Sequence, residues 1–275
     1  MNEVDILNSL QTATIEAEKA KQIKNSKHKY NFDKLKMFFG DDYVVGGIKI
    51  SMPKIGDILE IGEKNFYSAV MPFVSNSTSI RVLLYKIGKD WNKVSDIETF
   101  YFLIHSTVHD LSPLKLLFKD TTFDDITLLD VGVDEDGKQK FALYSPSQNL
   151  LIYEDAYTEI AEYIREVMNQ HPKVERAKGK ETKKSMIWED EMKILNQQEK
   201  GDESNLLSLI SSCTNHPGFK YNLQELRDVG LYQFMDSVKR IQKYENGIAA
   251  LHGGFSGFVS FKDIPEDTLN YMGDV

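Results

Sequence analysis

The sequence predicts an α+β fold that is mainly helical, with a small antiparallel β-meander and a helical C-terminal region. Three observations carry that expectation. Apolar residues recur at helical spacing over most of the chain, as in the closing stretch with Leu223, Leu226, Phe234, Val238, Ile241, Ile248 and Leu251. Between Phe123 and Tyr153 the period changes to that of strands, in the runs ITLLDVGV, KQKFALYS and NLLIYE. Asp136-Gly137 lies between the first two runs and supplies the positive φ that a tight hairpin needs.

Taken in order, residues 2–26 read as a helix with Val4, Ile6, Leu7, Leu10 and Ile15 on one face, losing that face in its second half. Asp41-Asp42 and Gly46-Gly47 bracket a strand-like region, with Ile48 and Ile50 alternating with Lys49 and Ser51. Pro53 precedes a helical stretch that Gly62 and Pro72 should divide into short helices. Ser95 and Glu98 form a capping box for a helix through FYFLIHSTV, and Pro113 suits the first turn of the next element. Residues 80–118 are the most apolar part of the chain and should form the core of an N-terminal half.

Asp155 reads as the cap of a helix that ends before Pro172. The segment 172–185, PKVERAKGKETKKS, carries six Lys/Arg against two Glu and reads as a basic linker. It lacks aromatic residues on which bases could stack, so a solvated linker or helix start is preferred to a nucleic-acid grip. The expected organisation is an N-terminal α+β domain over 1–171, the linker 172–185, and a helical C-terminal domain over 186–275. The last of these would contain a helix NLLSLISSCT, then a long helix from Leu223. That helix should break at His252-Gly253-Gly254, pass through a strand in FSGFVSF, and give way to a terminal helix started by Pro265.

Bulk properties narrow the function classes. A net charge of −9 argues against a general nucleic-acid binder, which needs a basic face for phosphates. The single cysteine, Cys213, cannot form an internal disulfide and points to a reducing compartment. No apolar run approaches the ~20 residues of a membrane span, and the N-terminus lacks a signal-peptide pattern, so a soluble cytoplasmic protein with no membrane partner is expected.

The apparent motifs fail on chemistry. Gly132 to Lys138 has the spacing of a phosphate loop, but Gln139 replaces the magnesium-reaching hydroxyl and Asp134, Glu135 and Asp136 would repel phosphate. The same acids fail as a calcium loop, because Gly132 and Leu143 occupy positions that need carboxylates. His105 and His109 would share a helix face, yet Ser106 stands where a zinc protease has glutamate and no third ligand follows. Cys213 with His216 has no defined nucleophile–base geometry, and a packed thiol is the better reading. The acidic pairs Asp41-Asp42, Asp124-Asp125 and Glu189-Asp190-Glu191 lie in polar contexts without the apolar frame that raises a carboxyl pKa. No catalytic, cofactor-binding or metal residue is assigned, and no enzyme activity or cofactor is expected.

One resemblance remains. The succession HGGFSGFVSFKDIPEDTLNYM, with Gly253, Gly254, Gly257, Ile264, Pro265, Leu269 and Asn270, resembles the end of assembly proteins encoded in the tail modules of tailed bacteriophages. The block IKISMPKIGDILEIGEKNFY, with Ile48, Pro53, Ile58 and Glu63, resembles the opening of such proteins, and together the blocks cover about a quarter of the chain. The resemblance implies a tail assembly chaperone or baseplate assembly factor in the host cytoplasm. It would bind the tape measure protein or hub components and prevent their premature association, with homo-oligomerisation possible. The alternative it implies is a structural subunit retained in the virion tail or baseplate.

Overall fold

The computed structural model describes residues 30–273 apart from 136, 201–203 and 271, and only the backbone of 197–200. The expected helix over 2–26 lies outside the described residues. Contacts divide the chain between Asp33 and Lys34, and the elements below belong to the larger unit, Lys34–Val275.

After a short helix α1 (Lys34–Phe39), strands β1 (Tyr43–Val45) and β2 (Ile48–Ile50) form a hairpin. Its turn is Gly46-Gly47, with φ of 57° and 81°, a conformation that costs glycine little. Strand alternation puts Ile48 and Ile50 in the core and Lys49 in solvent, where it pairs with Asp42 at 2.6 Å.

Gly62, at φ 94°, separates α2 (Ile55–Ile61) from α3 (Glu63–Val74) as the sequence suggests. Pro72 does not break the chain. It lies in the last turn of α3, where the ladder has little further to run, and Phe73 beside it is fully buried.

Helices α4 (Arg81–Lys86) and α5 (Asp96–Ser106) follow, the latter opened by the Ser95–Glu98 capping box. A 3-10 turn, Ser112–Leu116, has Pro113 near its start. The meander is present as β3 (Thr127–Val133), β4 (Gln139–Ser145) and β5 (Leu150–Tyr153), all antiparallel in that order. Leu128, Leu143 and Ile152 stand opposite one another, and Leu143 and Ile152 are buried. A bulge between Asp130 and Gly132 bends the edge strand β3.

Helix α6 (Glu154–Met168) grows directly out of β5. Its N-cap is Tyr153, which makes no side-chain cap bond, so Asp155 sits in the first turn rather than capping. At that position its charge suits the positive helix end. The helix ends at Asn169, in the left-handed conformation at φ 52°. It presents Tyr157, Ile160, Ala161, Ile164 and Val167 to the core. There Phe73 from α3 meets Phe100, Phe118 and Phe123 at ring separations of 4.7, 5.3 and 5.5 Å, and Tyr157 at 6.5 Å.

The segment 172–185 is not a solvated linker. Its backbone is held by side chains from the first half of the chain. Asn76 donates to the Lys173 carbonyl (3.0 Å), Trp91 Nε1 to that of Glu175 (3.1 Å), and Asn92 to that of Ala177 (2.7 Å). Helix α7 (Lys180–Lys200) then begins inside the expected linker. Buried Arg81 lies 2.6 Å from both Glu175 and Asp190. Val82, Leu84, Trp91, Ala177 and Ile187 close a second small core beneath it. The segment expected to join domains over 1–171 and 186–275 thus contributes to a core of its own. Composition concealed this, since the segment docks through main-chain groups that any residue possesses.

Helix α8 (Asn205–Thr214) matches its expected run and is capped by Ser204. The carboxylate of Glu63 at the start of α3 accepts from Leu206 N at 3.0 Å and from the Ser204 hydroxyl. The long closing helix, α9, spans Leu231–Phe255 rather than starting at Leu223. Ile55 N donates to Val229 O (3.0 Å) and Leu231 N to Pro53 O (2.8 Å), which holds the backbone around Gly230 extended. Leu226 sits in a separate 3-10 turn, Glu225–Asp228. The predicted break at His252-Gly253-Gly254 does not occur, and FSGFVSF forms no strand. The helix runs through both glycines, and the chain reverses at Gly257 (φ 77°) into a 3-10 turn, Phe261–Asp263, and a short α10 (Glu266–Leu269).

Two predictions follow from this core. Phe73→Ala should lower the unfolding free energy by about 3–5 kcal/mol in a urea titration, the usual cost of emptying a buried aromatic site. Asp190 sits below its usual value of 3.8; burial alone would raise it, but hydrogen bonds from Arg81 and Lys193 outweigh that. A depressed carboxylate stabilises fully above its unfolded pKa, and the contribution is lost as pH falls through the folded one. Asp190→Asn should thus cost about 1–3 kcal/mol at pH 7. The difference from the unaltered chain should shrink below pH 3.8, read from denaturant midpoints across pH.

Candidate interaction surface

The residues that imitate catalytic motifs are occupied by structure. In the hairpin after β3, Asp134 accepts from Lys138 N at 2.8 Å and its own N–H donates to Lys138 O at 2.9 Å, which closes the turn. Helix α5 ends at Ser106, so His109 lies beyond it and shares no helix face with His105. The His105 ring bonds back to the Tyr101 carbonyl through Nδ1 (2.9 Å) and packs on the Tyr101 ring.

Cys213 is buried, and that burial pushes its thiol up. Both nitrogens of His216 are engaged. Gly218 N donates to Nδ1 (3.0 Å), which leaves Nε2 to donate to Glu245 at 2.9 Å. The imidazole therefore ties the 214–218 turn to α9. Asp125 accepts from Ser145 Oγ (2.6 Å) and Ser147 N (2.7 Å), which hold it below the usual carboxylate range. The described residues contain no group of three His, Cys, Asp or Glu that could hold a metal ion.

A cleft of ≈310 Å³ opens between α3, α6, α8 and α9. Its floor is apolar, with Met168, Leu209, Met235 and Val238, and its rim includes Asn169, Asn205, Gln242 and Lys239. Tyr67 also lines it, its phenol pushed up to about 12 by burial and by Glu63. Among the described residues no carboxylate lines this cleft.

Exposed apolar surface is the more distinctive feature: the meander shows Leu129, Val131, Val133 and Tyr153, and two further clusters lie on helices. Helix α7 has a docked side and an exposed apolar side. Lys183, Ile187 and Asp190 face α4 and its loops, where Lys183 meets Asp90 at 2.6 Å. Trp188, Met192 and Leu195 repeat at four and three residues on the far side, 61%, 37% and 50% exposed. The second place is the end of α9, where Phe255 is 79% and Phe258 90% exposed, with Phe261 at 45% and Met272 at 79%. Single exposed apolar residues are ordinary, but a cluster of aromatics at one end of a helix is the composition of interface cores.

The chain after Gly257 returns along α9. Lys243 meets Asp267 at 3.0 Å, and Arg240 donates to the Gly273 carbonyl at 2.9 Å. The glycines read as a helix break serve as a seat: a Cβ at Gly254 would fall 2.6 Å from the Phe261 ring, and one at Gly247 would fall 3.0 Å from the Thr268 carbonyl. The sequence signal for this seat was present in the spacing of Gly247 and Gly254, but it has meaning only once the tail is known to fold back.

The chain matches no family model, no curated protein and no solved structure.

The α7 stripe can be tested by fluorescence, because the two tryptophans differ so sharply. Trp91 is 2% and Trp188 61% exposed, so acrylamide should quench one population readily and the other poorly. Trp188→Ala should remove the accessible population and change stability by no more than about 0.5 kcal/mol.

Proposed function

We propose that this protein is a non-enzymatic assembly factor of a tailed bacteriophage, acting in the host cytoplasm. It binds tail components such as the tape measure protein or the baseplate hub and prevents their premature association. The mechanism is masking: its exposed apolar helical surface covers coiled-coil-prone partner surface until tail subunits polymerise around it, a helix-on-groove mode of recognition.

The observation that carries this reading is a coincidence of place. The segment that bears the resemblance to tail-module assembly proteins is also where the exposed aromatics Phe255 and Phe258 stand. The upstream block has an architectural part in the same account. Ile48 and Ile58 are buried, and Glu63 anchors α8 through Ser204 and Leu206.

Co-expression with the tape measure protein tests the proposal. A soluble complex that survives affinity purification is expected, and Phe255→Ser with Phe258→Ser should abolish it without lowering the melting temperature. Unchanged tape measure solubility on co-expression sinks the idea. Mass spectrometry of purified particles checks the second half: an assembly chaperone is absent from the virion, whereas stoichiometric copies would make the chain a structural subunit.

A further inference from the structure

We infer that residues 256–273 are a detachable strap, occupying on α9 the seat of a partner segment of the same chemistry: an aromatic side chain followed six residues later by a carboxylate. This rests on the reading of the chain as a binding protein and names the face and the ligand.

The seat has an apolar end and a cationic end. At the apolar end the Phe261 ring lies against Gly254, and Val259 lies 3.4 Å from where a Cβ of Gly253 would be. At the cationic end Lys243, whose side chain is only 13% exposed, points its ammonium at Asp267, which is 84% exposed. Arg240 caps the Gly273 carbonyl beside it. The lysine stands on α9, and Asp267 reaches it from the strap.

The strap itself is weakly held. Among its described residues none is buried, and Phe258 stays 90% and Met272 79% exposed with the strap in place. Among the described residues its attachments include an ion pair with an exposed carboxylate, a hydrogen bond from Arg240, and close approaches at Gly254 and Gly247, the kind of segment that opens locally at small cost. Its hinge is the reversal at Gly257, where Phe258 N and Val259 N both donate to the Gly253 carbonyl at 3.0 and 3.1 Å.

A partner segment is favoured over a second copy of this chain. A strap tethered next to its own seat has an effective concentration on the order of millimolar, and the strap of another copy would make only the contacts already made. A partner that covers more of Phe255, which stays 79% exposed with the strap in place, gains contacts the strap leaves unmade, and this gain drives displacement.

The probe is a fluorescent synthetic peptide of residues 256–273, titrated by anisotropy into the full chain. A loosened chain carrying Phe261→Ala and Asp267→Lys, both at exposed positions, should bind it ~10-fold or more tightly than the unaltered chain, where the tethered strap competes. Adding Lys243→Glu to the loosened chain should remove that gain, and adding Gly254→Leu should do so independently by filling the seat. Equal affinity of the loosened and unaltered chains, or no binding to the loosened chain, overturns the inference. So does strap-exchanged dimer formation by the unaltered chain in sedimentation, which would assign the seat to a second copy. Because the probe comes from the chain itself, a negative titration is distinct from a negative co-expression with tape measure protein.

Discussion

The side chain of Phe73 is the point on which the larger unit depends. Its ring contacts aromatic residues supplied by α5, by the loops around the 3-10 turn and the meander, and by α6. Those elements are far apart in sequence, and no local propensity brings them together. Burial of such rings removes a large apolar area from water, and edge and tilted contacts add to it. With this cluster in place, the β-meander can pack one face and leave the other to solvent. Helix α6 then becomes the floor on which both the hairpin β1–β2 and the α9 region rest, with Tyr43 stacked on Tyr163 at 4.5 Å.

Two buried guanidinium groups set what the aromatic core cannot. Arg165 of α6 donates to the Ser75 carbonyl (2.8 Å), Asp96 (2.9 Å) and Glu162 (2.6 Å), which joins the end of α3 to the start of α5. Arg81 plays the same part for the 173–177 segment and α7. Breaking a buried pair costs more than the pair contributes, because the remaining charge is left without a partner. These contacts therefore select one arrangement among several that would bury similar apolar area. Their consequence for function is that α7 is docked through one face only, with its Trp188 stripe turned to solvent.

The closing region inherits its properties from that framework. The first half of α9 is anchored by Leu231 and Phe234 in the core, while beyond it Gly247 is the only buried residue described, covered by the tail. A helix that leaves the body in this way exposes its last turns, and the aromatics there are available for contact. The tail lies over it through groups that water could replace at little cost.

From the sequence alone came the elements whose signals are local: the strand at Ile48 and Ile50, the Ser95 capping box, the three-strand meander, the α8 run, and the rejection of Gly132–Gln139 as a phosphate loop. Each depends on neighbours a few residues away, so its physics is written in consecutive letters. The tertiary structure decided what depends on distant partners. Segment 172–185 became a docked strap because Asn76, Trp91 and Asn92 reach its carbonyls. Helix α9 begins at Leu231 because Pro53 and Ile55 hold the preceding backbone extended. Gly253 and Gly254 did not end a helix, since a helix tolerates glycine when its ladder is continuous and a ring uses the space left by the missing Cβ. Periodicity identifies which face of a helix is apolar, but only the packing of the other elements determines whether that face is buried or left open to a partner.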